Sequence, residues 1–381
     1  MIEIRNTGSW LRVLGVTALL ASACGSTPAA ANSPSASASA AASPSASPTA
    51  TKLCTPSSRC FALVTLRGSN RVVVRDLTDI SHPTTVSTAS EALSIPQFVT
   101  ANELSGIDYS VQKNGLIRMS FGGSTTTVVP DSGRLTGYYD WSPDGSTLVY
   151  LTSSATTVNS VMALHQLTAT GDRVLDGSIP ALPAVGCESQ FCPLAEGWDA
   201  RLAYSTDGAT ISFVASIANV KIFRLWASDG KLLVSGSAPA RTMSVWSGNS
   251  LYFLDANGIE TWREGLTAPF LSGMAWIRPN ASPAGGQIVY ETRDAKHVAA
   301  TFVVDTATRK IRELKGYRFD PHFLTARYVW YEGQRACVAA DRCPTGWLAI
   351  SSGKAYIYDL VAGTETESII TGVYDVWPHP A

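Results

Sequence analysis

A hairpin with a characteristic turn recurs along this chain and limits the folds that it can adopt. The clearest copy runs from Tyr139 to Tyr150, with Ser142-Pro143-Asp144-Gly145 at its middle. These four residues suit the four positions of a type I turn, and the flanking residues have the pattern of strands. Because Trp141 ends the first strand, something outside the hairpin must bury its ring.

Aromatic residues in the position of Trp141 recur at intervals of roughly 30 to 60 residues. They are Phe98, Trp141, Tyr204, Trp246, Trp276 and Phe323. After Trp276 this spacing predicts the turn at Ile277-Arg278-Pro279. A second pair of strands follows each hairpin, as in Phe302–Ile311 and Tyr356–Gly363.

The two ends of the repeat region are incomplete in complementary ways. Arg71–Leu77 has no aromatic strand before it, whereas Val373–Pro378 has the pattern of an inner strand with no partner after it. Four short strands per unit, repeated about seven times without helical periodicity, predict an all-β, seven-bladed β-propeller. Its last strand, at Trp377, is expected to pair with the blade of residues 60–90 and leave no open edge. A β-sandwich is the alternative, but it would predict neither similar units nor complementary ends.

The clearest hairpin also resembles a known repeat. Trp141-Ser142-Pro143-Asp144-Gly145, followed by Leu148, Val149 and Tyr150, resembles the WD40-like repeat of TolB-type propellers. The resemblance implies a propeller over residues 60–381, with each aromatic residue packed between adjacent blades. It implies no catalytic residue, because this repeat is structural and supports many functions.

The N-terminus has the layout of an export signal. Arg5 and Arg12 precede an apolar run, Val13–Ala21, that is too short to span a bilayer. The next residues, Ala21-Ser22-Ala23-Cys24, resemble a bacterial lipoprotein cleavage box, with Ala21 where that family usually has Leu. The resemblance implies a signal peptide over residues 1–23 and acyl chains on Cys24 that anchor the protein to a membrane. An ordinary secretory signal, cut near Ala23, is the alternative.

Residues 24–51 are almost entirely Ser, Ala, Pro and Thr. Such a segment buries too little apolar surface to offset its ordering entropy, so it predicts a disordered linker ahead of a propeller domain at residues 52–381.

Removing residues 1–23 leaves 27 basic and 29 acidic residues. Without a basic excess, binding to nucleic acid by charge is not expected. We expect a monomer without a cofactor.

The six cysteines after Cys24 form three close pairs. In an exported chain such pairs favour local disulfides. The pairs are Cys54 with Cys60, Cys187 with Cys192, and Cys337 with Cys343. Zinc is the alternative, but these spacings are wider than Cys-x-x-Cys and histidines are few. We therefore expect no metal site.

Known catalytic motifs are missing from the sequence, including Gly-x-Ser-x-Gly and His-Glu-x-x-His. Polar residues beside the predicted inner strands are candidates for the mouth of the central channel. They are Asp140, Arg201, Arg318, Asp320, His322, Asp375 and His379. The alternative is that they are ordinary loop and strand-end residues.

Two insertions that carry cysteine pairs, Ile179–Trp198 and Gly333–Trp347, are candidates for a binding surface. Alternatively, their disulfides only protect long loops. The first functional hypothesis is a lipid-anchored, extracytoplasmic module that binds an envelope protein, a polymer or a small ligand without catalysis. A channel-sited glycan hydrolase or lyase, and a structural or sensory ectodomain, are the alternatives.

Overall fold

A computed structural model describes residues 54, 59–66, 72–80, 82–88, 93–108, 115–130, 135–153, 161–182, 200–217, 220–236, 243–341 and 343–379. All of them belong to one structural unit, residues 48–381. The predicted signal peptide, the linker, Cys24 and the Cys187–Cys192 pair lie outside the described residues. Within the described part of the chain, no helix has the length and apolar character to span a bilayer.

The described elements are β-strands apart from one short 3₁₀ helix, Ala339–Asp341. The first fifteen strands are β1 (Phe61–Leu66), β2 (Val72–Asp76), β3 (Thr84–Thr88), β4 (Leu93–Thr100), β5 (Glu103–Asp108), β6 (Gly115–Ser120), β7 (Thr125–Val129), β8 (Leu135–Trp141), β9 (Leu148–Ser153), β10 (Val161–Thr168), β11 (Gly171–Pro180), β12 (Ala200–Tyr204), β13 (Thr210–Ile217), β14 (Val220–Ala227) and β15 (Leu232–Gly236). The others are β16 (Ser244–Ser247), β17 (Ser250–Asp255), β18 (Gly258–Arg263), β19 (Leu266–Ser272), β20 (Ile277–Ala281), β21 (Gln287–Arg293), β22 (Ala299–Asp305), β23 (Ile311–Gly316), β24 (Arg318–Phe323), β25 (Tyr328–Ala336), β26 (Ala349–Asp359), β27 (Thr364–Ser368) and β28 (Ile370–Trp377).

The described strands form seven antiparallel sheets of four strands each, and each sheet is one blade of a β-propeller. Six blades consist of four consecutive strands: blade 2 is β4–β7, blade 3 is β8–β11, and so on to blade 7, β24–β27. Blade 1 has the order β28-β1-β2-β3. The predicted fold class, an all-β seven-bladed propeller, is confirmed.

The last strand closes the ring as the incomplete ends of the repeat predict. In blade 1, β28 is the innermost strand and pairs antiparallel with β1, with Phe61 opposite Trp377 and Ala62 opposite Val376. This pairing joins the end of the described chain to its beginning by backbone hydrogen bonds. No sheet edge is left open at the junction.

The apolar core lies between blades. Seven clusters of buried residues each combine side chains from two neighbouring blades. Between blades 2 and 3, for example, Leu116 packs with Trp141 and Tyr150. The indole Nε1 of Trp141 donates to Ser105 Oγ of blade 2 at 2.9 Å. Strands with apolar residues on both faces are therefore required, because each blade is covered on both sides.

The repeated turn follows the inner strand in blade 3 as expected. The backbone N–H of Ser142 donates to Thr147 O at 2.8 Å, and that of Gly145 donates to Ser142 O at 2.7 Å. The turn after Tyr204 repeats this pattern at Ser205 and Gly208.

The position predicted for the turn of blade 6 is wrong. There the turn is Ser282-Pro283-Ala284-Gly285, and Gly285 N–H donates to Ser282 O at 2.8 Å. Arg278 and Pro279 lie within the inner strand instead. Trp276 precedes this strand, and Ala281 occupies the position of Trp141. The Trp276 indole is still fully buried, and its Nε1 donates to Met243 O of the neighbouring blade.

Antiparallel order places connections on two opposite faces of the ring. Turns between the first and second strands of a blade, and between the third and fourth, lie on one face. Turns between the second and third strands, and the connections between blades, lie on the other, which we call the loop face. The second insertion belongs to the loop face, because it joins β25 to β26, whereas most of the first insertion lies outside the described residues.

Candidate functional site

A cavity of about 560 Å³ occupies the centre of the ring. All seven inner strands contribute to its wall, from β4 in blade 2 to β28 in blade 1. This volume lies in the range of small-molecule sites, roughly 300–1,000 Å³. The cavity is therefore the candidate site.

Most of the polar residues selected from the sequence line this cavity. They are Asp140, Arg201, Asp320, His322, Asp375 and His379. Arg318 is not part of the wall. Its guanidinium donates to both carboxylate oxygens of Glu365, at 2.7 and 2.9 Å, and lies 4.0 Å from the centre of the Tyr356 ring.

Asp140 and Asp375 connect neighbouring blades. The backbone N–H of Tyr204, in blade 4, donates to Asp140 Oδ2 of blade 3 at 2.7 Å. In the same way, Phe98 N–H of blade 2 donates to Asp375 Oδ2 of blade 1 at 2.6 Å. The second oxygen of Asp375 accepts from Val376 N–H at 2.8 Å. Both carboxylates therefore have a structural role at the cavity wall.

Their surroundings change how readily these carboxylates ionise. Burial raises the pKa of Asp140 to about 6; the backbone N–H of Tyr204 and the charges of His379 and Arg201 oppose this rise, whereas Asp375 adds to it. Burial also raises the pKa of Asp375, against the charge of His379 and the backbone N–H of Phe98. Two carboxylates with raised pKa values thus face one cavity, and the charge of Asp375 contributes to the rise at Asp140.

Arg201 is the least engaged cation of the wall. Its side chain is exposed to the cavity, and its one hydrogen bond within the described residues is long, 3.4 Å from Nη1 to Ser244 O. Among these residues no carboxylate lies within ion-pair distance of it. Burial lowers its pKa, while the charges of Asp140 and Asp375 raise it. The guanidinium therefore retains most of its donor capacity.

A second charged group supports the wall at blades 6 and 7, and it joins Asp320 and His322 to three residues that the sequence did not reveal. Glu291 is fully buried, and its carboxylate accepts from Arg293 Nε at 2.8 Å and from Asp320 N–H at 2.5 Å. Arg278 Nη1 lies 3.3 Å from Asp320 Oδ1, and His322 Nε2 lies 3.4 Å from that same oxygen. The positive charges of Arg278 and Arg293, together with His322, thus lie beside the carboxylates of Glu291 and Asp320, as buried carboxylates require.

The pKa values of the acidic pair in this group are displaced in opposite directions. Burial raises the pKa of Glu291, despite the charges of Arg278 and Arg293. For Asp320 burial acts in the same sense, but the hydrogen bond and charge of His322 and the two arginines outweigh it and lower the pKa. Asp320 is thus held ionised as part of the wall.

Four inner strands share a distortion beside the cavity. Ile95, Gly137, Arg278 and Asp320 have positive φ angles of 49°, 86°, 51° and 54°, and each lies at a register shift with the second strand. Such bulges redirect side chains and are common at functional sites. Each non-glycine residue in this conformation costs about 1–3 kcal/mol, a strain that concentrates where function requires it.

A sequence signal for these bulges exists. Three of the distorted residues precede proline, in Ile95-Pro96-Gln97, Arg278-Pro279-Asn280 and Asp320-Pro321-His322. Aligning these three tripeptides would have placed Arg278 and Asn280 at the wall. Asn280 accepts from Phe323 N–H at 2.8 Å, the role that Asp140 and Asp375 have in other blades.

Two predicted cysteine pairs have the Cα separations of disulfides. The Cα atoms are 5.2 Å apart in Cys54–Cys60 and 6.4 Å apart in Cys337–Cys343, both within the usual range. Cys337, Cys343 and Asp341 also lie close enough together to be metal ligands. However, Asp341 accepts from Arg335 through both carboxylate oxygens, at 2.6 Å each.

The second insertion is anchored on the loop face. The Trp347 ring stacks on His297 of blade 6 with centroids 4.2 Å apart, and Leu348 N–H donates to Lys296 O at 3.0 Å. Val338 in this insertion and Leu348 directly after it are both exposed. The loop is thus held against the neighbouring blade while part of its apolar surface remains open.

No protein-family model matches this chain, and no curated protein matches it by sequence. Solved structures do match. TolB from Acinetobacter baumannii is 14% identical with a TM-score of 0.46; the match covers 84% of this chain and 65% of the TolB chain. This chain thus spans just under two thirds of TolB.

Two oligogalacturonate lyase structures also match. One, in complex with manganese, is 11% identical with a TM-score of 0.52 over 72% of this chain and 86% of that chain. The other, from Vibrio parahaemolyticus, is 8% identical with a TM-score of 0.50 over 81% of this chain and 84% of that chain. At such identities the likeness shows the fold alone, and by structure the chain resembles TolB and related propeller proteins.

Proposed function

We propose that this chain is a lipid-anchored, extracytoplasmic propeller that binds a small polar ligand in its central cavity without transforming it. The observation that carries the proposal is that some polar residues of the cavity wall are bonded within the protein and others are not. Asp320, His322 and Asp375 are engaged by partners within the protein, whereas Arg201 and one oxygen of Asp140 keep unused bonding capacity. Groups of this kind orient a ligand in a preformed site.

Binding is tested with the purified full chain and a defined set of compounds, namely amino acids, short peptides, monosaccharides and oligogalacturonate. Native mass spectrometry measures which compounds are retained. Tyr374→Ala changes a half-exposed aromatic residue of the cavity wall, and Leu266→Ala changes an exposed apolar residue on outer strand β19 as a matched control. A compound that the control variant retains and Tyr374→Ala loses supports the proposal. Equal retention by both variants places binding elsewhere and contradicts it.

A channel-sited enzyme is the second candidate. It is favoured by the raised pKa of Asp140, about 6, because a general acid or base works best when its pKa is near the operating pH. The lyase structures give a reason to assay oligogalacturonate, through the ultraviolet absorbance of its unsaturated product. Turnover that Asp140→Asn abolishes would replace the binding proposal with this one.

The anchor is tested separately from the cavity. Cys24→Ser removes the thiol that would be acylated if residues 21–24 are a lipoprotein cleavage box. If the anchor exists, the variant moves from the membrane fraction to the soluble fraction and no longer incorporates labelled palmitate. If the unaltered protein and the variant are both found in the soluble fraction, the secreted alternative replaces the lipoprotein proposal.

A further inference from the structure

Arg201 is placed to receive an anionic group. It projects from inner strand β12 into the cavity, and of its five N–H donors the described residues use one, in the long contact to Ser244 O. A planar guanidinium with free donors binds a carboxylate through two parallel hydrogen bonds. A ligand carboxylate would therefore find an available partner here.

The same cavity is placed to receive a cationic group. Asp140 Oδ2 accepts from Tyr204 N–H, but Oδ1 has no hydrogen-bond partner among the described residues. Asp375 lines the same cavity and is close enough for its charge to raise the pKa of Asp140. When both ionise and His379 is neutral, their two negative charges exceed the single positive charge of Arg201. An ammonium group at Oδ1 would balance this excess and relieve the repulsion between the two carboxylates.

We propose that the cavity recognises a small zwitterion, an amino acid or a short peptide, with its carboxylate on Arg201 and its ammonium group on Asp140. This inference rests on the proposed function, since it assumes that the cavity binds a ligand. Arg201 and Asp140 carry opposite charges in one cavity and do not form an ion pair with each other. They are therefore complementary to a molecule that carries both a carboxylate and an ammonium group. The volume of about 560 Å³ accommodates such a molecule.

The test uses titration calorimetry on the full chain with alanine, dialanine and trialanine, which differ in the distance between their two charges. For the tightest of them, the N-acetylated and C-amidated derivatives each lack one charge. We expect either cap to weaken binding by at least about tenfold, the effect of one charge-assisted hydrogen bond. Because this comparison uses the unaltered protein, it does not depend on any variant folding.

Variants assign each charge to its partner. In Arg201→Gln the C-amide and the free carboxylate should bind equally, while Arg201→Lys keeps a preference for the carboxylate. In Asp140→Asn the N-acetyl derivative and the free amine should bind equally. Arg263→Gln, at an exposed arginine of β18, the third strand of blade 5, is the matched control and should behave as the unaltered protein does.

Two results would overturn the inference and separate it from the proposed function. If a neutral sugar binds in a manner that depends on Tyr374 while no alanine peptide binds, the cavity is a binding site but not for zwitterions. If peptides bind and neither the N-acetyl nor the C-amide group weakens their affinity, the charges of Arg201 and Asp140 do not contact the ligand and only neutralise each other. Failure of every compound in the panel contradicts both proposals.

Discussion

The carboxylate of Asp375 accepts a hydrogen bond from the backbone N–H of Phe98 at 2.6 Å, although the two residues are 277 positions apart in the chain. Asp375 lies on the last strand, in blade 1, and Phe98 lies on the inner strand of blade 2. The contact therefore joins the closing strand to the blade that follows it. It adds to the backbone pairing of β28 with β1.

Removing this closing strand should prevent cooperative folding. Deletion of residues 370–381 exposes the edge of β1 and removes Ile370 and Val376 from the core between blades 7 and 1. We expect the single thermal transition to be lost and the protein to aggregate through the open edge, measured by circular dichroism and light scattering. Deletion of residues 380–381 alone is the control. A cooperative transition in the longer deletion would show that closure by β28 is dispensable.

Loss of the Ser105 hydroxyl should destabilise the contact between blades 2 and 3. Ser105→Ala leaves the buried indole N–H of Trp141 without its acceptor, which costs about 1–3 kcal/mol in free energy of unfolding. Denaturant unfolding measures this, and a double-mutant cycle with Trp141→Phe isolates the bond. Ser212→Ala, which removes the equivalent acceptor of Trp246, should have a similar effect. Changes below about 0.5 kcal/mol would mean that the indole finds another partner.

Two glycines with the same conformation should differ in their tolerance of a side chain. Gly145 and Gly248 have φ angles of 67° and 56°, so alanine is strained at both. A Cβ atom on Gly145 would lie 2.5 Å from Val99 O of blade 2, whereas nothing lies within 4 Å of one on Gly248. Gly248→Ala should therefore cost about 1–3 kcal/mol, and Gly145→Ala clearly more, as measured by denaturant unfolding. Equal costs would indicate that the turn and blade 2 separate easily.

The raised pKa of Asp140 predicts a pH dependence of stability. The folded protein holds the Asp140 proton up to a pKa of about 6, whereas the unfolded chain releases it near the ordinary aspartate pKa of 3.8. Between these values the folded state binds more protons, so this residue makes stability fall as pH rises from 4 to 6.

Asp140→Asn keeps an acceptor for Tyr204 N–H but cannot ionise, so it should remove that part of the fall. The measurement is the difference in free energy of unfolding between the variant and the original protein at several pH values. Asp375, Arg201 and His379 are the same in both proteins, so the difference reports the ionisation of residue 140 together with its coupling to these neighbours. A difference that stays constant from pH 4 to 6 would contradict the raised pKa.

The sequence predicts more about the fold than about the site. The Ser-Pro-x-Gly turns and apolar strands identify blades, because a blade buried on both faces needs the same local pattern each time. In blade 6 the turn Ser282–Gly285 does not follow an aromatic residue. The position of the aromatic residue therefore predicts the turn after Trp276, which is the wrong place. The sequence therefore predicts blade 6 correctly but misplaces the inner strand and turn within it.

What the sequence by itself determined is the repeat, its number and the complementary ends, since these depend on residue patterns within a few positions. The tertiary structure alone decided which polar side chains meet at the cavity. Regular alternation along β24 would place Arg318, Asp320 and His322 on one face of the strand. The bulge at Asp320 breaks that alternation, so Asp320 and His322 line the cavity while Arg318 lies against Tyr356. The proline after Asp320 marks where the bulge lies, but the direction of the side chains depends on backbone strain that packing between blades maintains.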